Sequence, residues 1–183
     1  MKILKLSSLL LIFITLAGCA GSSAENTASD PRSMNQIWSD NNIDFEVAGL
    51  SNKPPYRGNV SITASSFEGT VILMGQSRTQ ELLTEFETQA RKVKGVKTIH
   101  NQVRIKAPLS VGNVSQDSWI TTKVKSALLT KSELSGANVK VITEDGEVFL
   151  LGYVSQEHAE IATEVARNVS GVKKVVRAFQ YSN

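Results

Sequence analysis

The sequence contains one cysteine, Cys19, so no intramolecular disulfide can form in any compartment. Its two histidines, His100 and His158, are too few for a metal site with the usual His and Cys spacing. Neither histidine lies beside a recognisable nucleophile motif, and solvated or capping roles suit both. No paired-carboxylate or nucleophile constellation is visible, so no enzymatic activity is expected. Gly75 and Gly152 have no G-x-x-x-x-G-K or G-x-G-x-x-G around them, which removes the common phosphate loops. They fit close backbone approaches at a strand-to-helix turn. The acidic run Glu144-Asp145-Gly146-Glu147 reads as a solvated hairpin tip, with weak Ca²⁺ binding as the sharper alternative. No cofactor or metal is expected.

The sequence also lacks an apolar run of membrane-spanning length. Leu6 to Leu16 is apolar, follows Lys2 and Lys5, and precedes Leu16-Ala17-Gly18-Cys19. A run this short with these flanks predicts an exported chain whose signal, residues 1–18, is removed. The tetrapeptide resembles the bacterial lipobox, in which the cysteine becomes the first residue and carries acyl chains. Cys19 is thus the expected lipidation site, leaving 183−18 = 165 residues. Two or three acyl chains anchor a protein firmly where one binds only marginally. Ala20 follows the cysteine, and the inner-membrane retention signal is usually Asp there, so an outer-membrane address is expected. The formal charge of +3 drops to about +1 once Lys2 and Lys5 leave, which with export argues against a nucleic-acid partner.

What the chain does have is a duplication. ITASSFEGTVILMGQ, a helical run and VKGVKTI recur as VITEDGEVFLLGY, a helical run and VSGVKKV. The offset is 77 at the first glycines (146−69, 152−75) and 76 at the third (171−95). Two copies, each of small-domain size, indicate a tandem pair rather than a solenoid. Residues 19–37 are expected to be the anchor and a flexible tether, 38–106 the first domain, 107–115 a linker, and 116–183 the second domain.

In the first copy Asp40 is a plausible N-cap, with Ile43, Val47 and Leu50 at helical spacing. Val60 and Ile62, a turn at Ser65 to Gly69, and Val71 and Leu73 predict a β-hairpin. Leu82, Leu83, Phe86, Ala90 and Val93 mark a second helix, Gly95 the residue past its end, and Val96 to Ile105 a closing strand. In the second copy Asp117 opens the helix of Ile120, Val124 and Leu128, and the remaining elements repeat in the same order. The hairpin-to-strand crossover allows a mixed sheet. Each unit is expected to be an α+β two-layer sandwich, two helices on a three-stranded mixed sheet.

The pattern Ile120-Thr121-Thr122-Lys123-Val124-Lys125, Val139-x-Val141, Gly146-x-Val148-x-Leu150-x-Gly152 and Val169-Ser170-Gly171-Val172 resembles the BON domain. The first copy departs from it at the opening helix, Ile43 to Val47. With the lipobox, the chain is similar to dual-BON-domain lipoproteins of Gram-negative outer membranes. The resemblance implies a periplasm-facing, non-enzymatic protein supporting outer-membrane integrity. It also implies contact with anionic phospholipid through the first helix of the second domain, and links to the outer-membrane protein assembly machinery and the division site.

The residues offer a surface for such contact. At about 100° per residue, Ile120, Val124 and Leu128 define the inward direction of their helix. Trp119 lies about 140° to one side of it and Leu129 about 140° to the other. Thr122, Ser126 and Thr130 fall between them, and Lys123 and Lys125 flank the strip. Trp favours bilayer interfaces, and each cation near an anionic surface contributes about 1 kcal/mol. The first copy has Asn42 where the second has Trp119 (119−77), so only the second is expected to be so equipped. The alternatives are that Trp119 packs on the first domain or linker, or anchors a protein partner in an adaptor without lipid recognition.

Overall fold

The computed structural model describes residues 30–182. The signal, Cys19 and most of the expected tether lie outside them. The elements are α1 (Met34–Leu50), β1 (Val60–Phe67), β2 (Thr70–Ser77), α2 (Gln80–Ala90), β3 (Thr98–Ile105), α3 (Val111–Leu129), β4 (Lys140–Glu144), β5 (Glu147–Val154), α4 (Gln156–Arg167) and β6 (Lys174–Tyr181). A short 3-10 turn, Ser132–Leu134, follows α3. Each half is therefore helix, hairpin, helix, strand, as the duplication predicts.

Both sheets are mixed. β1 runs antiparallel to β2 and β2 parallel to β3, and β4, β5 and β6 repeat this. The parallel pair needs a crossover, which α2 and α4 supply. The central strands are β2 and β5, so β3 and β6 each keep one free edge. Strand alternation sends Val71 and Leu73 toward the helices, where they meet Ile43, Val47 and Phe86. Val148 and Leu150 do the same against Ile120, Val124 and Ala162. Each half thus owns a separate core.

Both opening helices start earlier than the aspartates suggest. Ser33 caps α1 in a capping box with Gln36, so residues 34–37 form its first turns instead of tether. Ser110 caps α3, whose first turn occupies part of the expected linker. Asp40 and Asp117 lie inside the helices, buried, and brace the hairpin turns. Asp40 accepts the Glu68 and Gly69 N–H groups at 2.8 and 3.0 Å. Asp117 accepts those of Asp145 and Gly146 at 2.7 and 2.8 Å. These turns hold two residues each, with φ of 49° and 82° in the first and 54° and 75° in the second. Two successive positive φ values suit the twist of a tight hairpin, and the carboxylate satisfies the N–H groups the turn turns inward.

Three glycine and turn expectations are corrected. β1 runs on to Phe67, so the turn is shorter than Ser65 to Gly69. Gly75 and Gly152 sit inside β2 and β5, not at the strand ends, although the close approach is real. A Cβ there would lie 2.1 Å from the Ser61 carbonyl oxygen and 2.2 Å from that of Asn138. α2 ends at Ala90, so Gly95 belongs to the turn before β3, where it lies against the Ile43 side chain.

The two sheets pack back to back. Met74, Phe149 and Leu151 are buried between them, with Ile72, Ile142, Val176 and Ala178 around the edge. The helices therefore form the outer layers, α1 and α2 on one side, α3 and α4 on the other. The acidic hairpin tip is not solvated; it fastens the halves together. Glu144 accepts from Thr63 Oγ1 at 2.9 Å and Gln76 Nε2 at 3.3 Å. Arg104 pairs with Glu147 at 2.8 Å, and Lys106 with Asp145. Phe67 stacks on Tyr153 with centroids 6.4 Å apart. Burial pushes the Glu144 carboxyl up, against the opposing pull of its two hydrogen bonds.

Candidate membrane-contact site

The strip lies on the solvent side of α3. Asp117, Ile120, Val124 and Leu128 are the buried residues of that helix, which turns the opposite side outward. Trp119 is 63 % exposed and Leu129 87 % exposed. Trp119 therefore does not seal against the first domain. Thr122 and Ser126 lie exposed between them, and Thr130, also exposed, caps the helix just past Leu129. Thr122 donates its hydroxyl proton to the Ser118 carbonyl at 3.0 Å, and Thr130 to that of Ala127 at 2.8 Å. With those protons engaged, the hydroxyls face solvent as acceptors, the polarity that headgroup hydroxyl or ammonium donors would match.

The flanking lysines differ. Lys123 is half-buried and donates its ammonium to the Ser170 carbonyl, fastening α3 to the turn after α4. It serves the fold first. Lys125 is exposed and has no ion-pair partner among the described residues. Beyond it a cavity of about 500 Å³ opens beside the end of α3, lined by Lys125, Lys131, Leu128, Leu129, Leu134 and Val139. A second cleft, of about 610 Å³, lies between the halves, with Arg32, Asp44, His100, Lys140 and Arg177 on its walls. It does not include Trp119.

Sequence reasoning missed apolar residues on both opening helices. Val111 and Val114, expected in the linker, are 84 % and 52 % exposed at the start of α3. On α1, Met34, Trp38 and Phe45 are 68, 64 and 81 % exposed. The expectation that only the second copy turns apolar residues outward is thus corrected. The Ser33-x-x-Gln36 capping box was the available signal, since it moves the helix start back far enough to include Met34 and Trp38. Among the described residues no cluster of His, Cys, Asp and Glu could hold a metal ion. No described helix is long and apolar enough to cross a membrane.

A model of the BON domain matches residues 39–107 and 116–183, both halves of the duplication. The chain belongs to the BON domain family. It is 35 % identical to outer membrane lipoprotein DolP of Haemophilus influenzae over 184 aligned residues, covering 97 % of this chain and 95 % of the relative. It is 41 % identical to a 21 kDa hemolysin of Actinobacillus pleuropneumoniae over 153 residues, 83 % of this chain and 79 % of that one. Among solved structures, CdsD, a structural protein of the type III secretion system of Chlamydia trachomatis, aligns at 20 % identity and a TM-score of 0.30. That alignment covers 79 % of this chain and 65 % of CdsD. The DolP likeness spans the whole two-domain BON arrangement and makes this chain an outer-membrane lipoprotein.

Proposed function

We propose that the protein is anchored by acyl chains on Cys19, faces the periplasm, and binds anionic phospholipid through the outer face of α3, so supporting outer-membrane integrity. One observation carries this reading: Trp119 and Leu129 stand exposed on one face of α3, with the hydroxyl side chains of Thr122 and Ser126 between them. An indole at the headgroup level and a leucine about 15 Å farther along the helix bury apolar area without leaving a charge in hydrocarbon. Lys125, at the rim, adds attraction to an anionic surface of about 1 kcal/mol. Lys123 contributes field rather than contact, because its ammonium is already held by a carbonyl. The anchor holds the domains near the bilayer, so the α3 contact can be weak and still be occupied.

The test is co-sedimentation of the unacylated chain, beginning after Cys19, with vesicles rich in phosphatidylglycerol. Trp119→Glu is expected to cut binding at least tenfold while the circular dichroism spectrum stays unchanged. Lys125→Glu should weaken binding less and flatten its salt dependence. Equal sedimentation of wild type and Trp119→Glu would refute the lipid reading and favour a protein-binding adaptor.

A further inference from the structure

Asp40, Ile43 and Val47 turn one side of α1 into the first core. Met34, Trp38 and Phe45 fall within an arc of about 40° on the opposite side, at 100° per residue. All three are well over half exposed. Asn41 and Asn42 fill the space between them, and α1 contains no lysine or arginine. Its acids are placed elsewhere: Asp40 in the hairpin brace, Asp44 toward Lys140 at 3.4 Å, and Glu46 on the flank. The outward side of α1 is therefore apolar and uncharged, unlike the cation-edged strip on α3.

The chain just before α1 decides what meets this face. Arg32 bonds Asp30 through Nε at 2.9 Å and Asp40 through a terminal nitrogen at 2.7 Å. Its guanidinium also stacks over Phe67 at 4.3 Å. The backbone from Asp30 onward is thus tied to the fold. Only eleven chain steps (30−19) separate that tie from Cys19, a span of at most about 40 Å even fully extended. Among the described residues α1 is the helix nearest the anchor along the chain, and such a span gives an effective concentration on the order of millimolar against the bilayer. Three side chains form too small a patch for a free-standing protein interface, which needs about 1,200 Å² in total. They suit shallow insertion between lipid headgroups beside an existing anchor.

We propose that Met34, Trp38 and Phe45 form a second bilayer contact, distinct from α3, that inserts without regard to headgroup charge. It rests on the acylation of Cys19 proposed above, and not on the α3 contact. The chain has only two tryptophans, Trp38 and Trp119, so each contact has its own fluorescent reporter. The experiment uses full-length protein extracted from membranes, with the acyl mass on Cys19 confirmed first. Absence of that mass overturns both the anchor and this proposal before any vesicle is added. The acylated Trp119→Phe variant, in which Trp38 reports alone, is placed in zwitterionic phosphatidylcholine vesicles carrying brominated acyl chains. Quenching of Trp38 by at least twofold, unchanged between low and high salt, is the expected result. Phe45→Asp and Met34→Asp in the same background should abolish it with the fold intact. Unquenched Trp38 emission overturns the proposal. So does a blue shift that grows with protein density without bromine quenching, which would make a second copy of the chain the occupant. Quenching seen only with anionic lipid and lost in salt overturns it too. The Trp38→Phe variant reports Trp119 in parallel, so failure of the α3 contact is read separately.

Discussion

Asp40 and Asp44 stand one helical turn apart, and burial raises both, yet their carboxyls end up shifted in opposite directions. Burial alone would push Asp40 up, but the Arg32 guanidinium, the Gly69 and Glu68 N–H groups and the Ser66 hydroxyl outweigh it and hold the carboxyl below its usual range. Asp44 has less help. Burial pushes it up to about 6, against the pull of Lys140 from the other half, and its Oδ1 has no hydrogen-bond partner. A folded-state value above the unfolded 3.8 means that Asp44 favours the folded state while protonated. That contribution is full below about pH 4 and is lost as pH rises through about 6. Asp44→Asn is therefore expected to stabilise the protein above pH 6 by about 1–2 kcal/mol, after allowing for water at the edge of the site, and to do nothing at pH 4. Thermal melts at pH 4 and pH 7.5 check this, and a gain confined to the lower pH would contradict it.

At the scale of the element, the sequence was readable wherever one periodicity ruled. The inward residues of α2 and α4, such as Leu83, Phe86, Ala162 and Ala166, follow from helical spacing, and the structure buries all four. The hairpins followed from alternation and a glycine at the turn. The starts of α1 and α3 were misplaced for a chemical reason. Aspartate before an apolar run signals a cap, yet Asp40 and Asp117 spend their oxygens on a hairpin across the fold. Serines capping farther upstream set the true starts, and that moved Met34 from tether and Val111 from linker into helix, with Trp38 drawn into the first turns of α1. Ser110→Ala is expected to cost about 1 kcal/mol and to fray the turn that carries Val111 and Val114. Hydrogen exchange should show faster amides over residues 111–115, with the β5 amides unchanged.

Across the whole molecule, the docking of the halves was hidden behind the same alternation. Val71 to Met74 and Val148 to Leu151 are continuous apolar runs, the pattern of a strand buried on both faces. Reading only their alternate residues assigned Val71, Leu73, Val148 and Leu150 to the cores and left Ile72, Met74, Phe149 and Leu151 without a role. Those four join the sheets, with Ile142, Val176 and Ala178 around them. Phe149→Asp places a charge among those apolar side chains, beside the cleft between the halves, while leaving both separate cores untouched. It is expected to raise the radius of gyration in X-ray scattering while the circular dichroism spectrum stays unchanged. Scattering identical to wild type would show that the halves hold without this contact.

The free edges of the closing strands acquire a meaning once many copies share one leaflet. Molecules confined to a plane collide far more often, and in fewer orientations, than molecules in solution. An unpaired strand edge is where such a collision becomes permanent annealing. Along β6 the chain sets Lys174 and Arg177, and β3 carries Arg104 with Lys106 just after it. Arg104, Lys106 and Lys174 are already paired with Glu147 and Asp145, so an incoming edge has to break ion pairs before it can reach the backbone, and crowded neighbours glance off one another instead of zipping into a shared sheet.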